Sequence, residues 1–166
     1  LCSVGILNAH AENVAIAKSS LVGDGIVEFV PQGFDQTKTP SLILKEEPTA
    51  KGSVPSDWEL YPQFTVVDGK ANASLSLTGE ISLYGGGEVT GPLLRNGQYI
   101  KLWNTDTGAY GVDGGKRLYQ SHPWVLGVRR DGSAFGILFD SSWKSELHTN
   151  SDKIEFNTEG ALFRIY

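Results

Sequence analysis

A chain of 166 residues fits one domain, and a domain of that size buries roughly 70% of the surface its unfolded chain exposes. An apolar fraction of 40%, with Trp 4, Tyr 6 and Phe 7, excludes a disordered chain, and no apolar run approaches the roughly 18 residues of a membrane span. Fourteen basic against 19 acidic side chains leave a formal charge of −5, the wrong sign for tracking a nucleic-acid backbone. The single cysteine rules out both a disulfide framework and a cysteine zinc site.

The elements begin with an apolar opening, Leu1-Cys2-Ser3-Val4-Gly5-Ile6-Leu7, that runs into Ala9-His10-Ala11. Small residues in an Ala-x-Ala pattern after an apolar stretch match the end of a secretory signal peptide. On this reading residues 1–11 are a signal-peptide remnant, the mature domain is 12–166, and the protein is exported, to the periplasm or beyond the cell. An ordinary first strand is the alternative, and lipidation of Cys2 is a third reading.

Strand signals then recur every 8 to 12 residues, the spacing of an antiparallel sandwich or barrel. Runs 13–18 and 25–30 flank a tight turn at Gly23-Asp24. Further strands are expected at 41–45, 59–67 and 73–78, with Asp68-Gly69 as a turn. Runs 124–130 and 133–140 meet at Asp131-Gly132, where a type I′ turn is expected. Runs 143–148, 153–156 and 161–166 complete the series. No window sustains an apolar helical stripe over three turns. One stretch breaks the rhythm: 85–119 is rich in glycine and aromatics, with only 98–103 reading as a strand. Loops of that length in a compact domain are usually functional or disordered.

Much chemistry is excluded. His122 and His148 have no neighbouring ligand spacing, so neither a histidine metal site nor any other cofactor is expected. His122, between Ser121 and Pro123, reads as a packed strand-entry residue. The glycine run Gly85-Gly86-Gly87 lacks the Lys-Ser/Thr and the helix of a phosphate loop. What survives is a dense segment: Tyr84 to Leu93, then Leu102-Trp103-Asn104-Thr105-Asp106, Tyr110, and Leu118 to Trp124. Flat aromatics suit the C–H faces of pyranoses, and Asp and Asn suit sugar hydroxyls. Equally, Trp103 and Trp124 could be core residues and Asp106 a turn cap.

The run Tyr84-Gly85-Gly86-Gly87-Glu88-Val89-Thr90-Gly91-Pro92-Leu93, then Leu102-Trp103-Asn104-Thr105-Asp106, then Leu118-Tyr119-Gln120-Ser121-His122-Pro123, resembles the N-terminal domain of glycoside hydrolase family 31. That is the α-glucosidase and α-xylosidase group. Matching is good over 82–143 and weaker over 25–41. The middle residue of the glycine run and the end Gly160-Ala161-Leu162-Phe163-Arg164 depart from the family pattern.

The resemblance implies an all-β, antiparallel sandwich of the galactose-mutarotase-like (supersandwich) kind, packed on a catalytic (β/α)₈ barrel that would follow in the same polypeptide. It implies that a loop of the sandwich meets an oligosaccharide substrate, with Asp106 on sugar hydroxyls and Asn104, Trp103 and Tyr110 beside it. The family's catalytic carboxylates lie in the barrel, so no catalytic residue is expected in this chain. The expectation is thus an N-terminal domain of an exported retaining α-glycosidase. The alternatives are a non-catalytic carbohydrate-binding module and a purely structural sandwich. Nothing in the sequence fixes the distance that retaining hydrolysis requires for a pair such as Glu88 and Asp106, and a mutarotase would need cleft histidines in a pattern that His122 and His148 do not match.

Overall fold

The computed structural model describes residues 13–42, 46–106, 108 and 114–166. The signal-peptide reading of 1–11, Tyr110 and most of the strand expected at 41–45 lie outside these residues. Within them the strands are β1 (Asn13–Ala15), β2 (Ala17–Gly23), β3 (Ile26–Pro31), β4 (Gln63–Val67), β5 (Lys70–Ser76) and β6 (Ile81–Gly87). There follow β7 (Gln98–Leu102), β8 (Ser121–Arg129), β9 (Ala134–Asp140), β10 (Ser145–Thr149), β11 (Lys153–Thr158) and β12 (Arg164–Ile165). No α-helix occurs among the described residues.

Two six-stranded sheets result, in the orders β1-β4-β5-β11-β10-β7 and β2-β3-β12-β9-β8-β6, with antiparallel pairing throughout. Period-two patterning explains the layers: in β5, Ala71, Ala73 and Leu75 are buried while Asn72 and Ser74 face outward. The apolar faces meet in a core crossed by phenylalanines. Phe139 of β9 stacks on Phe156 of β11 at 4.7 Å, and Phe163 meets Phe156 edge-on at 5.0 Å. Such pairs contribute about 0.5–1.5 kcal/mol beyond the area they bury.

Three expectations need correction. Strand β6 extends the predicted series, because the glycine run at the start of the expected irregular stretch is the bulged end of a strand: the register shifts between Gly85 and Gly87. The β2–β3 turn is one residue later than expected, with its positive φ at Gly25. At Asp131-Gly132 only Gly132 has positive φ, so the hairpin is a three-residue loop and not type I′. The Asp131 carboxylate accepts from the Ser133 amide at 2.9 Å and so favours the alternative. Asp68-Gly69 does carry positive φ at both positions.

Sheet two is partly covered on its outer side. The Asp140 carboxylate accepts from the Leu42 amide at 2.7 Å, Trp143 Nε1 donates to the Lys38 carbonyl at 3.1 Å, and Arg164 stands over the Phe34 ring. Beneath this cover Arg164 is 1% exposed, paired with Glu47 at 2.7 Å, Glu28 at 3.6 Å and Asp140 at 3.7 Å. Free edge β6 is satisfied by Asn96, which accepts from the Leu83 amide and donates to the Ile81 carbonyl, each at 2.8 Å.

Candidate functional site

β7 ends at Leu102 and releases 103–106 beside the start of β8. Two hydrogen bonds of 2.8 Å hold this loop against the incoming chain: the Thr105 amide donates to the Leu118 carbonyl, and Asn104 Oδ1 accepts from the Ser121 amide. Thr105 Oγ1 donates to the Trp103 carbonyl at 3.0 Å, turning the backbone locally. On the other side of 118–121 lies Glu88. Its amide donates to the Gln120 carbonyl at 2.8 Å and its Oε2 accepts from the Tyr119 amide at 3.1 Å.

Close approach at this point depends on Gly87. Its φ is +86, and a Cβ there would stand 2.5 Å from the Gln120 carbonyl oxygen and 2.7 Å from the His122 nitrogen. The same segment continues through Thr90, whose amide and hydroxyl donate to the carbonyls of Gly115 (3.0 Å) and Gly114 (2.6 Å). Segments far apart in sequence, around 88, 104 and 119, therefore form one layered structure at the β6–β7 end of the sandwich.

Next to it runs a groove of about 670 Å³ lined by Trp103, Asn104, His122, Trp124, Leu138, Trp143 and Leu42 among others. Its three tryptophans are 48%, 43% and 48% exposed, so Trp103 and Trp124 are not core residues. His122 is exposed as well, contrary to the packed strand-entry reading, because it shares the outward face of β8 with Trp124. Trp124 lies over Gly136 and Trp143 over Gly160, where added Cβ atoms would meet the rings at 1.9 and 2.3 Å. Gly136 thus seats the Trp124 ring on the surface of sheet two, and Gly160 seats Trp143 on the turn between β11 and β12.

Of the four residues predicted from sequence, Trp103 and Asn104 line the groove. Asp106 is exposed and does not line it. Its negative charge raises the Tyr119 hydroxyl above its ordinary ionisation range. Sequence reasoning did not single out Trp143, Tyr119 or the clamp role of Glu88 as site features. A signal existed for Glu88 and Tyr119, since both sit inside the quoted motifs. Among the described residues no cluster of three metal-ligating side chains occurs.

A family model described as the glycosyl hydrolase 31 N-terminal galactose mutarotase-like domain matches residues 19–147. Alpha-glucosidase 2 of Bacillus thermoamyloliquefaciens is 33% identical over 166 aligned residues, covering 93% of this chain and 21% of that protein. The crystal structure of a family 31 alpha-glucosidase from Bacteroides thetaiotaomicron is 68% identical, with a TM-score of 0.54, over 60% of this chain and 17% of that one. A family 31 dextranase of Flavobacterium johnsoniae complexed with glucose shares the fold at 19% identity, with a TM-score of 0.65 over 95% of this chain and 25% of its own. The chain therefore spans about a fifth of the length of the first two. With its two-sheet topology and matched motifs, the chain belongs to the glycosyl hydrolase 31 N-terminal galactose mutarotase-like domain family.

Proposed function

We propose that this domain serves an exported retaining α-glycosidase, α-glucosidase-like in substrate class, by lending a substrate-binding loop to a catalytic barrel in the same polypeptide. The carrying observation is the loop 103–106, tied to the 118–121 segment by two hydrogen bonds and presenting an exposed carboxylate at Asp106. A tethered loop keeps its carboxylate in one place, so little ordering entropy is lost when a sugar binds. The chemistry of bond cleavage belongs to two carboxyls of the barrel; the domain's part is to hold sugar hydroxyls. Identity to alpha-glucosidases supports the substrate class. Export is supported by the small residues Ala9 and Ala11 after an apolar run, and mass spectrometry of the exported protein should find Glu12 first.

The test is Asp106→Ala in the complete enzyme. A charge-assisted hydrogen bond contributes roughly 1.5–3 kcal/mol, or about 10- to 150-fold in kcat/KM. An exposed loop change leaves stability within roughly 0.5 kcal/mol. Unchanged kcat/KM with a clear fall in Tm would retire Asp106 as a substrate ligand and make it a structural cap.

A further inference from the structure

We propose that the tryptophan groove beside the 103–106 loop is the seat of the catalytic barrel, so that Trp103, Trp124 and Trp143 anchor an interdomain contact and not a sugar. The inference rests on the reading of that loop as one that reaches the barrel, and it names the surface on which the barrel lies.

The lining argues for a protein occupant. Three half-exposed tryptophans stand with Leu42, Pro123 and Leu138 around a single groove. No Asp, Glu, Lys or Arg occurs among its described lining residues. Broad exposed apolar patches mark interaction sites, and an uncharged centre rich in aromatics is the composition of an interface core. A sugar would need hydrogen-bonding groups as well as flat rings, and several polar groups of this groove are engaged within the domain. Asn104 Oδ1 accepts from the Ser121 amide at 2.8 Å, Trp143 Nε1 donates to the Lys38 carbonyl at 3.1 Å, and Ser141 Oγ accepts from the Trp143 amide at 3.4 Å. The rings are also in place before any partner arrives, since Trp124 lies on Gly136 and Trp143 on Gly160. Docking on them therefore loses little side-chain entropy. A second cavity against sheet two differs: Asp57, Glu59, Arg129 and Asp131 are among its lining residues.

Position argues for the barrel. Trp103 and Asn104 form one wall of the groove and belong to the loop that carries Asp106. A body close enough to take Asp106 into its substrate site is in reach of that wall. Polypeptide continuing from Tyr166, which exchanges two backbone hydrogen bonds with the groove residue Leu138, sets out from the same sheet. In Alpha-glucosidase 2 about four-fifths of the length lies outside the part that this chain covers, ample for a covering domain.

Two measurements on the complete enzyme test the seat. In hydroxyl-radical footprinting read by mass spectrometry, the three tryptophans should oxidise at less than about a tenth of their rate in the urea-unfolded chain, as buried interface residues do. Rates near half, matching exposures of 43–48%, overturn the proposal. If added maltotetraose then protects the rings, the groove is a sugar site; if protection rises only with enzyme concentration, it is an interface between copies. Either result overturns the barrel as occupant. The second measurement identifies what lies there: His122→p-benzoylphenylalanine, an exposed position of the groove, should cross-link on irradiation to a barrel peptide of the same polypeptide. A link to a second copy, or no link, overturns the proposal. These outcomes are separable from that of Asp106→Ala. Covered tryptophans beside an unchanged kcat/KM in Asp106→Ala leave the seat standing and remove the sugar role of the loop. Open tryptophans beside a damaged Asp106→Ala remove the seat and leave the loop.

Discussion

Replacing Gly87 by alanine tests the physical basis of the site, and Gly132→Ala supplies its control. The two glycines have nearly the same backbone angle, φ +86 and +85, so the conformational strain added by a side chain is matched. That strain is about 1–2 kcal/mol for an L-residue held at positive φ. Their surroundings differ. A Cβ at 132 meets nothing within 4 Å, whereas one at 87 lies 2.5 Å from the Gln120 carbonyl oxygen and 3.1 Å from Ser121 Cα. Those atoms are backbone of the 118–122 segment and cannot swing aside as a side-chain tip could. Overpacking of this kind adds about 1–3 kcal/mol. Gly87→Ala should therefore lose about 2–5 kcal/mol against about 1–2 kcal/mol for Gly132→Ala. With about 2–4 °C per kcal/mol for a domain of this size, the two melting temperatures should differ by roughly 2–12 °C. Thermal unfolding followed by circular dichroism measures both. Melting temperatures that coincide, or a costlier Gly132→Ala, would mean that the close approach of Glu88 to Tyr119 does not depend on the missing Cβ.

Two further outcomes concern the covered charges of sheet two. Arg164→Met removes the cation that faces Glu28 and Asp140, which are 6% and 1% exposed, and should cost about 3–5 kcal/mol in urea unfolding; a loss under about 1 kcal/mol would show that the cluster is not held by its arginine. Glu28 gives a pH signature. Burial raises its carboxyl above the usual 4.5, outweighing the Tyr166 hydrogen bond and Arg164, so the folded state binds this proton more tightly than the unfolded one. Its contribution is fully present below 4.5 and is lost as pH rises through the raised value. The stability of the wild type relative to Glu28→Gln should accordingly decline from about pH 4 to pH 7 in urea titrations, and a difference that stays level or grows with pH would contradict the assignment.

Read alone, the amino-acid sequence determined the class of fold, since alternation such as Ala71, Ala73 and Leu75 against Asn72 and Ser74 specifies a strand with one dry face. It located most strands within a few residues, the Asp68-Gly69 turn, and, through the motifs around Glu88, Trp103 and Tyr119, the family. Strand β6 escaped because its last three residues are glycines, which leaves only Ile81 and Leu83 to carry the alternation, and the Asp131 turn was mistyped because a side-chain hydrogen bond to Ser133 decided it. Periodicity tells which residues share a face of a strand but not whether that face is covered. Only the tertiary structure therefore put Trp103, Trp124 and Trp143 around one half-open groove and Arg164 under a loop. Only it joined Glu88, Asn104 and the stretch from Tyr119 to Ser121, which come from three segments. What brings them together is a set of backbone hydrogen bonds across a crossing point that tolerates no Cβ, and a contact of that kind leaves no period in the sequence.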